Sequence, residues 1–287
     1  SAYEQFLGKI IRITPGHIVK IEDKPEVKKA GGVYYTPQYI VDYIVRNTVG
    51  KIVYGKTPEQ ISKIKIVDPA CGSGSFLLGA YQFLLNYHSD YYKKKGYLKK
   101  KIKNNPLNPE GRLTTEIKRE ILLNNIFGVD IDRQAVEVTK LSLLLKAMEG
   151  ETDVSIKRQL QLVHERVLPN IDGNIKCGNS LIGHDFFDGQ MNFDKEEKEE
   201  LKKKINPFDW KSGFPEIFKQ GGFDCVICNP PYCYMISNEQ QIYFEHNYNH
   251  QDYQKDLYLL FLERYQHILK EKGTLGVIIS NTWLQSL

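Results

Sequence analysis

Apolar residues gather along this chain in short runs separated by longer amphipathic stretches, the pattern of strands alternating with helices. Five runs read as strands, near Ile64, Ile126, Ile175, Val226 and Val277. Leu77 to Tyr91 is long and apolar enough for a helix, and Gln38 to Asn47 and Asp256 to Leu269 carry apolar residues at helical spacing. Lys195 to Lys204, rich in glutamate and lysine, predicts an exposed helix. Alternation of this kind predicts an α/β fold with a doubly wound, largely parallel sheet. Ahead of it, Ser1 to Ala30 reads as an N-terminal extension that opens with a short amphipathic helix and continues through the strand-like His17 to Ile21. Residues 31–287 form the remaining domain.

Two strand ends carry unusual chemistry. After Ile64 to Val67 comes Asp68-Pro69-Ala70-Cys71-Gly72-Ser73-Gly74-Ser75-Phe76, and then a helix. Gly72 and Gly74 allow positive φ and close approach of a ligand, while the helix N-terminus offers unpaired N–H groups. The third glycine of a dinucleotide fingerprint would fall at position 77, which is Leu77, so a nicotinamide or flavin cofactor is disfavoured. A carboxylate suited to a ribose comes later, in Gly128-Val129-Asp130-Ile131-Asp132. Asp130 ends the apolar run there, and Asp132 is placed to cap the next helix; Asp130 is the first choice as ligand and Asp132 the reserve.

Phe223 to Cys228 reads as a buried strand, and Asn229-Pro230-Pro231-Tyr232 follows at its carboxyl end. Pro231 restrains Pro230 to an extended conformation, so the Pro230 carbonyl stands beside the Asn229 side-chain carbonyl as a second acceptor. An exocyclic amine whose two N–H groups are drawn into these acceptors becomes a better nucleophile, and Tyr232 offers a face for a flat ring. The plain alternative is a Pro-Pro turn with a capping Asn.

Composition narrows the setting. With 287 residues and 41% hydrophobic content, the chain can bury one large core, and it contains no apolar stretch long enough for a membrane span and no signal peptide. Five cysteines without framework spacing predict reduced thiols and a cytoplasmic location. Cys225 and Cys228, with Cys233, invite a zinc site, but three residues apart on one strand they face opposite ways, so no metal is expected. The net charge of +4 is concentrated in Lys93-Lys94-Lys95 and Lys99-Lys100-Lys101, a basic insertion that reads as a solvated loop rather than a DNA contact.

In these segments the chain resembles the S-adenosylmethionine-dependent DNA adenine-N6 methyltransferases of the gamma subclass. Gly31 to Pro37 resembles the segment before the donor loop, Asp68 to Phe76 the donor loop and Asn229 to Tyr232 the catalytic tetrapeptide. Gly128 to Asp132, Cys177 to Leu181, and Asp256 to Tyr265 followed by Gly273 to Leu284 complete six ordered matches. Gly178-Asn179-Ser180-Leu181 and Tyr3 to Gly8 are most similar to type IIG restriction-modification polypeptides. The resemblance implies a Rossmann-like fold and transfer of a methyl group to N6 of a flipped adenine in double-stranded DNA. Asn229 and the Pro230 carbonyl would hold the amino group, and Tyr232 would stack on the base. Thr36 and the Gly72 to Gly74 backbone would hold the methionine part of the donor, Asp130 its ribose, and Asn179 with Phe261 its adenine, with Asp68 and Ala70 also among the donor-binding residues.

Each of these has a structural alternative. Thr36-Pro37 also suits a helix start, Phe261 an ordinary core position and Asn179 a turn. Asp130→Ala is expected to weaken donor binding and leave the fold intact. The first residue is not Met and the chain stops at Leu287, just after the fifth strand, so a fragment without the family's C-terminal hairpin and target-recognition domain is expected. The presence of an attached nuclease stays open. Methylation of a protein glutamine or RNA by the same tetrapeptide, and an inert donor-binding fragment, are the competing functions.

Overall fold

The computed structural model of the chain describes residues 9–13, 19–23, 36–100, 102–150, 169–188, 195–231, 236–249 and 257–279. These fall into two compact units, Ser1–Ile40 and Val41–Leu287. In the first, β1 (Lys9–Ile13) pairs antiparallel with β2 (Val19–Asp23), with Ile11 opposite Ile21. The sequence predicts the second of these strands only. The helix expected at the N-terminus falls outside the described residues.

The second unit contains a parallel sheet in the order β5-β4-β3-β6-β7, formed by β3 (Ile66–Asp68), β4 (Ile126–Asp130), β5 (Ile175–Cys177), β6 (Phe223–Cys228) and β7 (Leu269–Val277). The helices are α1 (Gln38–Asn47), α2 (Ser75–Lys94), α3 (Thr115–Asn125), α4 (Arg133–Met148), α5 (Lys195–Ile205), α6 (Asn238–Asn247) and α7 (Leu257–Ile268), with shorter turns between. All five expected strands form, as do the helices expected within Gln38 to Asn47, Leu77 to Tyr91, Lys195 to Lys204 and Asp256 to Leu269 and the one that follows Asp132.

Both faces of the sheet are covered. Ile66, Ile126, Ile175, Cys225 and Ile227 pack under Val41 and Val45 of α1, Leu77 and Leu84 of α2, Leu122 of α3 and Leu143 of α4. Val67, Phe127, Val129, Val226 and Cys228 face the other way, under Phe244 of α6 and Leu260, Phe261 and Tyr265 of α7. Each fully buried aliphatic side chain in these layers contributes about 1.5–3 kcal/mol. Cys225 and Cys228 therefore lie on opposite faces, as their spacing requires. Phe223 lies on the same face as Cys228 because the register with β7 shifts between Phe223 and Cys225.

The chain runs outward from β3 through β4 to β5, then returns to the other side of β3 as β6. Loops leaving β3 and β6 diverge at this reversal, and a crevice opens at their carboxyl ends. Among the described residues, no helix is long and apolar enough to cross a membrane.

Candidate active site

The loop after β3 is held by its neighbours as well as by its own hydrogen bonds. Asp68 Oδ1 accepts the Ala70 N–H at 3.0 Å, and the Cys71 N–H donates to the Val129 carbonyl at 3.0 Å. Gly72 is tied at both ends of its peptide: its N–H donates to Asp130 Oδ2 at 2.7 Å, and its carbonyl accepts the Thr139 hydroxyl at 2.7 Å. Gly72 and Gly74 both have positive φ, +51° and +83°, as the glycine spacing predicts. They differ in what surrounds them. A Cβ on Gly74 would lie 2.8 Å from Thr139 Cγ2, whereas one on Gly72 would meet nothing within 4 Å. Thr139, fully buried on α4, has no signature in the sequence.

Asp130 and Asp132 divide their work. Asp132 caps α4, accepting the Gln134 N–H at 2.8 Å. Asp130 accepts N–H groups from Gly72 and, at 2.9 Å, from Asp132, so it joins the donor loop to the turn after β4. Burial raises its carboxyl pKa, against the backbone hydrogen bonds that lower it. Asp68 is pushed up to about 7, chiefly by burial and in smaller part by the charge of Asp130. The thiol of Cys228 and the hydroxyl of Tyr265 lie close to Asp68, and burial raises both.

The segment after β5 forms the facing wall. The Gly178 N–H donates to the Asp130 carbonyl at 2.8 Å, and a Cβ on Gly178 would fall 2.6 Å from Phe208 Cβ. Asn179 Oδ1 accepts the Leu181 N–H at 3.0 Å, which closes a turn as the plain interpretation of Asn179 expects. Ser180 donates to the Pro69 carbonyl, and Trp210 donates to the Ser180 carbonyl at 3.0 Å. The Leu181 carbonyl receives both the Tyr248 hydroxyl and, at 3.0 Å, the Arg264 guanidinium. This short segment is thus anchored to several distant parts of the chain.

These parts enclose a cavity of about 330 Å³. Of the residues singled out from sequence, Ala70, Asp130, Asn179, Asn229 and Phe261 line it together. Asp68 is buried behind the loop, and Gly72 and Gly74 shape the loop without lining the cavity. Pro230 is buried, and Pro231 lines the cavity in its place. Thr36 is buried within the first unit. Tyr232 and Cys233 lie outside the described residues. Ile131, Leu181, Ile236, Gln240, Phe244 and Leu257 also line the cavity and were not singled out. Only Gln240 left a signal, the Ser237-x-x-Gln240 capping pattern at the start of α6.

Among known proteins, residues 124–287 match the family model described as Eco57I restriction-modification methylase, and residues 22–166 match that of N-6 DNA methylase. The chain is 36% identical over 99% of its length to the type II restriction enzyme and methyltransferase RM.Eco57I of Escherichia coli, of which it spans 26%. It is 31% identical over 52% of its length to the adenine-specific methyltransferase BrxX of Escherichia coli O9:H4 (strain HS), of which it spans 13%. The chain thus spans about a quarter or less of these curated relatives. On the family matches, the chain belongs to the Eco57I restriction-modification methylases, and its N-terminal half also matches the N-6 DNA methylase model.

Proposed function

We propose that this chain is the methyl-transfer unit of a restriction-modification polypeptide, binding S-adenosylmethionine and methylating N6 of an adenine turned out of double-stranded DNA. The observation that carries this is one cavity, at the reversal point of a parallel sheet, where Asn229 meets Asp130 and Asn179. The lining suits the donor: the partly buried carboxylate of Asp130 stands at the end of β4, and Phe244 of α6 with Leu257 and Phe261 of α7 supply apolar surface.

The donor supplies an electrophilic sulfonium methyl when bound. Asp130 accepts its ribose hydroxyls, Asn179 and Phe261 hold its adenine, and the Asp68 to Gly74 loop holds its methionine end. Asn229 and the Pro230 carbonyl accept the two N–H groups of the target amine and pull its lone pair out of conjugation, and Tyr232 stacks on the extruded base. When bound, the donor would supply its methyl group to the amine nitrogen, the sulfonium sulfur keeping the bonding pair, and the proton lost from nitrogen would pass to water. S-adenosylhomocysteine and N6-methyladenine result, with no covalent enzyme intermediate. A recognition domain and a nuclease elsewhere in the polypeptide would choose and cut the site.

Asn229→Ala in the full-length polypeptide tests this. Single-turnover methylation at saturating DNA should fall by at least about a hundredfold while donor affinity stays unchanged, because an acceptor needed in the transition state is lost. Tyr232→Ala should lose about 1–3 kcal/mol of base binding and recover rate at saturation. Near wild-type turnover in Asn229→Ala would remove the catalytic assignment.

A further inference from the structure

Two carboxamides line the cavity, Asn179 and Gln240, and their orientations follow from their partners. The Ser237 N–H donates to Gln240 Oε1 at 3.0 Å, and the Gln240 N–H donates to Ser237 Oγ at 3.3 Å, a reciprocal cap on α6. Only an amide oxygen can receive a backbone N–H, so Nε2 is the arm that the cap leaves over. The same logic applies to Asn179, whose Oδ1 takes the Leu181 N–H and whose Nδ2 remains. Among the described residues, no hydrogen bond occupies either NH2 group. Gln240 is nine-tenths buried, at 9% exposure. One turn further along α6, the Tyr243 hydroxyl accepts the Gly183 N–H at 3.1 Å, which fixes the helix to the wall that carries Asn179.

We propose that Gln240 is a specificity-determining contact of this cavity, pairing with Asn179 to present N–H donors to the ring-nitrogen edge of the donor's purine. The proposal rests on the assignment of the cavity to S-adenosylmethionine. A purine offers acceptors at N1, N3 and N7, and two amide donors lining one cavity select a ring that carries them. The exocyclic amine is left to other contacts.

Gln240→Glu separates this role from capping, since a glutamate carboxylate also accepts the Ser237 N–H but cannot donate. Calorimetry on the full-length polypeptide with S-adenosylhomocysteine should show affinity lowered on the order of tenfold to a hundredfold, with an unchanged melting temperature. One of the 1-, 3- and 7-deaza analogues should bind more weakly to the wild type and show no added loss on Gln240→Glu. Affinity within about twofold of wild type in Gln240→Glu, or equal losses for every analogue in both proteins, overturns the proposal. Absence of any S-adenosylhomocysteine binding by the wild type overturns the cavity assignment, and this inference with it.

Discussion

The Asp68 carboxyl holds a proton that its place at a strand end would not announce. In the unfolded chain it ionises near pH 4, as aspartates do, but burial beside Asp130 raises it to about 7 in the folded protein. Between those values the folded state carries the extra proton and releases it on unfolding, so this group makes stability fall as pH rises from about 4 to 7. Asp68→Asn should flatten that slope in thermal melts taken across the range; an unaltered slope would assign the proton elsewhere. Asp130 calls for a correction to the sequence-based expectation. Its carboxylate receives two backbone N–H groups, so Asp130→Ala should lower the melting temperature as well as donor affinity, with about 1–3 kcal/mol for each orphaned donor. Asp132→Ala removes a helix cap, about 0.5–2 kcal/mol, and should leave donor affinity intact. The sequence shows which aspartate caps and which ends the strand. It does not show that Asp130 also braces the glycine loop, because that contact spans 58 residues.

At the scale of elements, the glycine loop gives the sharpest contrast. Both glycines have positive φ, so alanine is strained at either, by about 1–2 kcal/mol. Only Gly74 faces the buried Thr139, which cannot swing away without breaking its bond to Gly72. Gly74→Ala should therefore destabilise the protein by clearly more than Gly72→Ala in denaturant titrations; equal losses would mean that strain alone decides. Elements were legible where periodicity had room. The turns Trp210–Gly213 and Pro215–Phe218 are too short to show a period, yet they place Trp210 and Phe214 against β6. β7 begins at Leu269, and Lys270 to Gly273 lie ahead of the apolar run near Val277 that predicts the strand. Its pairing with β6 is set across the sheet and not by those residues. The α6 wall of the cavity was illegible for a similar reason. Only Gln240 and Phe244 of that helix are buried, too few to form a stripe.

For the molecule as a whole, the sheet order fixes which end can do chemistry. The cavity stands at the carboxyl ends of β3 and β6, and α2 leads from there back across the sheet. Its 20 residues carry the chain about 30 Å, so Lys93 and Lys94 at its last turn lie at the end away from the cavity. Replacing Lys93, Lys94 and Lys95 by Gln in the full-length polypeptide should leave the salt dependence of DNA affinity unchanged, since a lysine adds about one to that slope only when it neutralises a phosphate. A reduced slope would bring DNA round to the far side. The two flanks of the sheet are also unequal. β5 closes one side with three residues, while β7 presents nine, and among the described residues nothing pairs with its outer side. Lys270, Glu271 and Lys272 guard the first half of that flank with charge, whereas Thr274 to Val277 carry none. The second half lacks such charges, so on this flank the first half alone is guarded against edge-to-edge pairing.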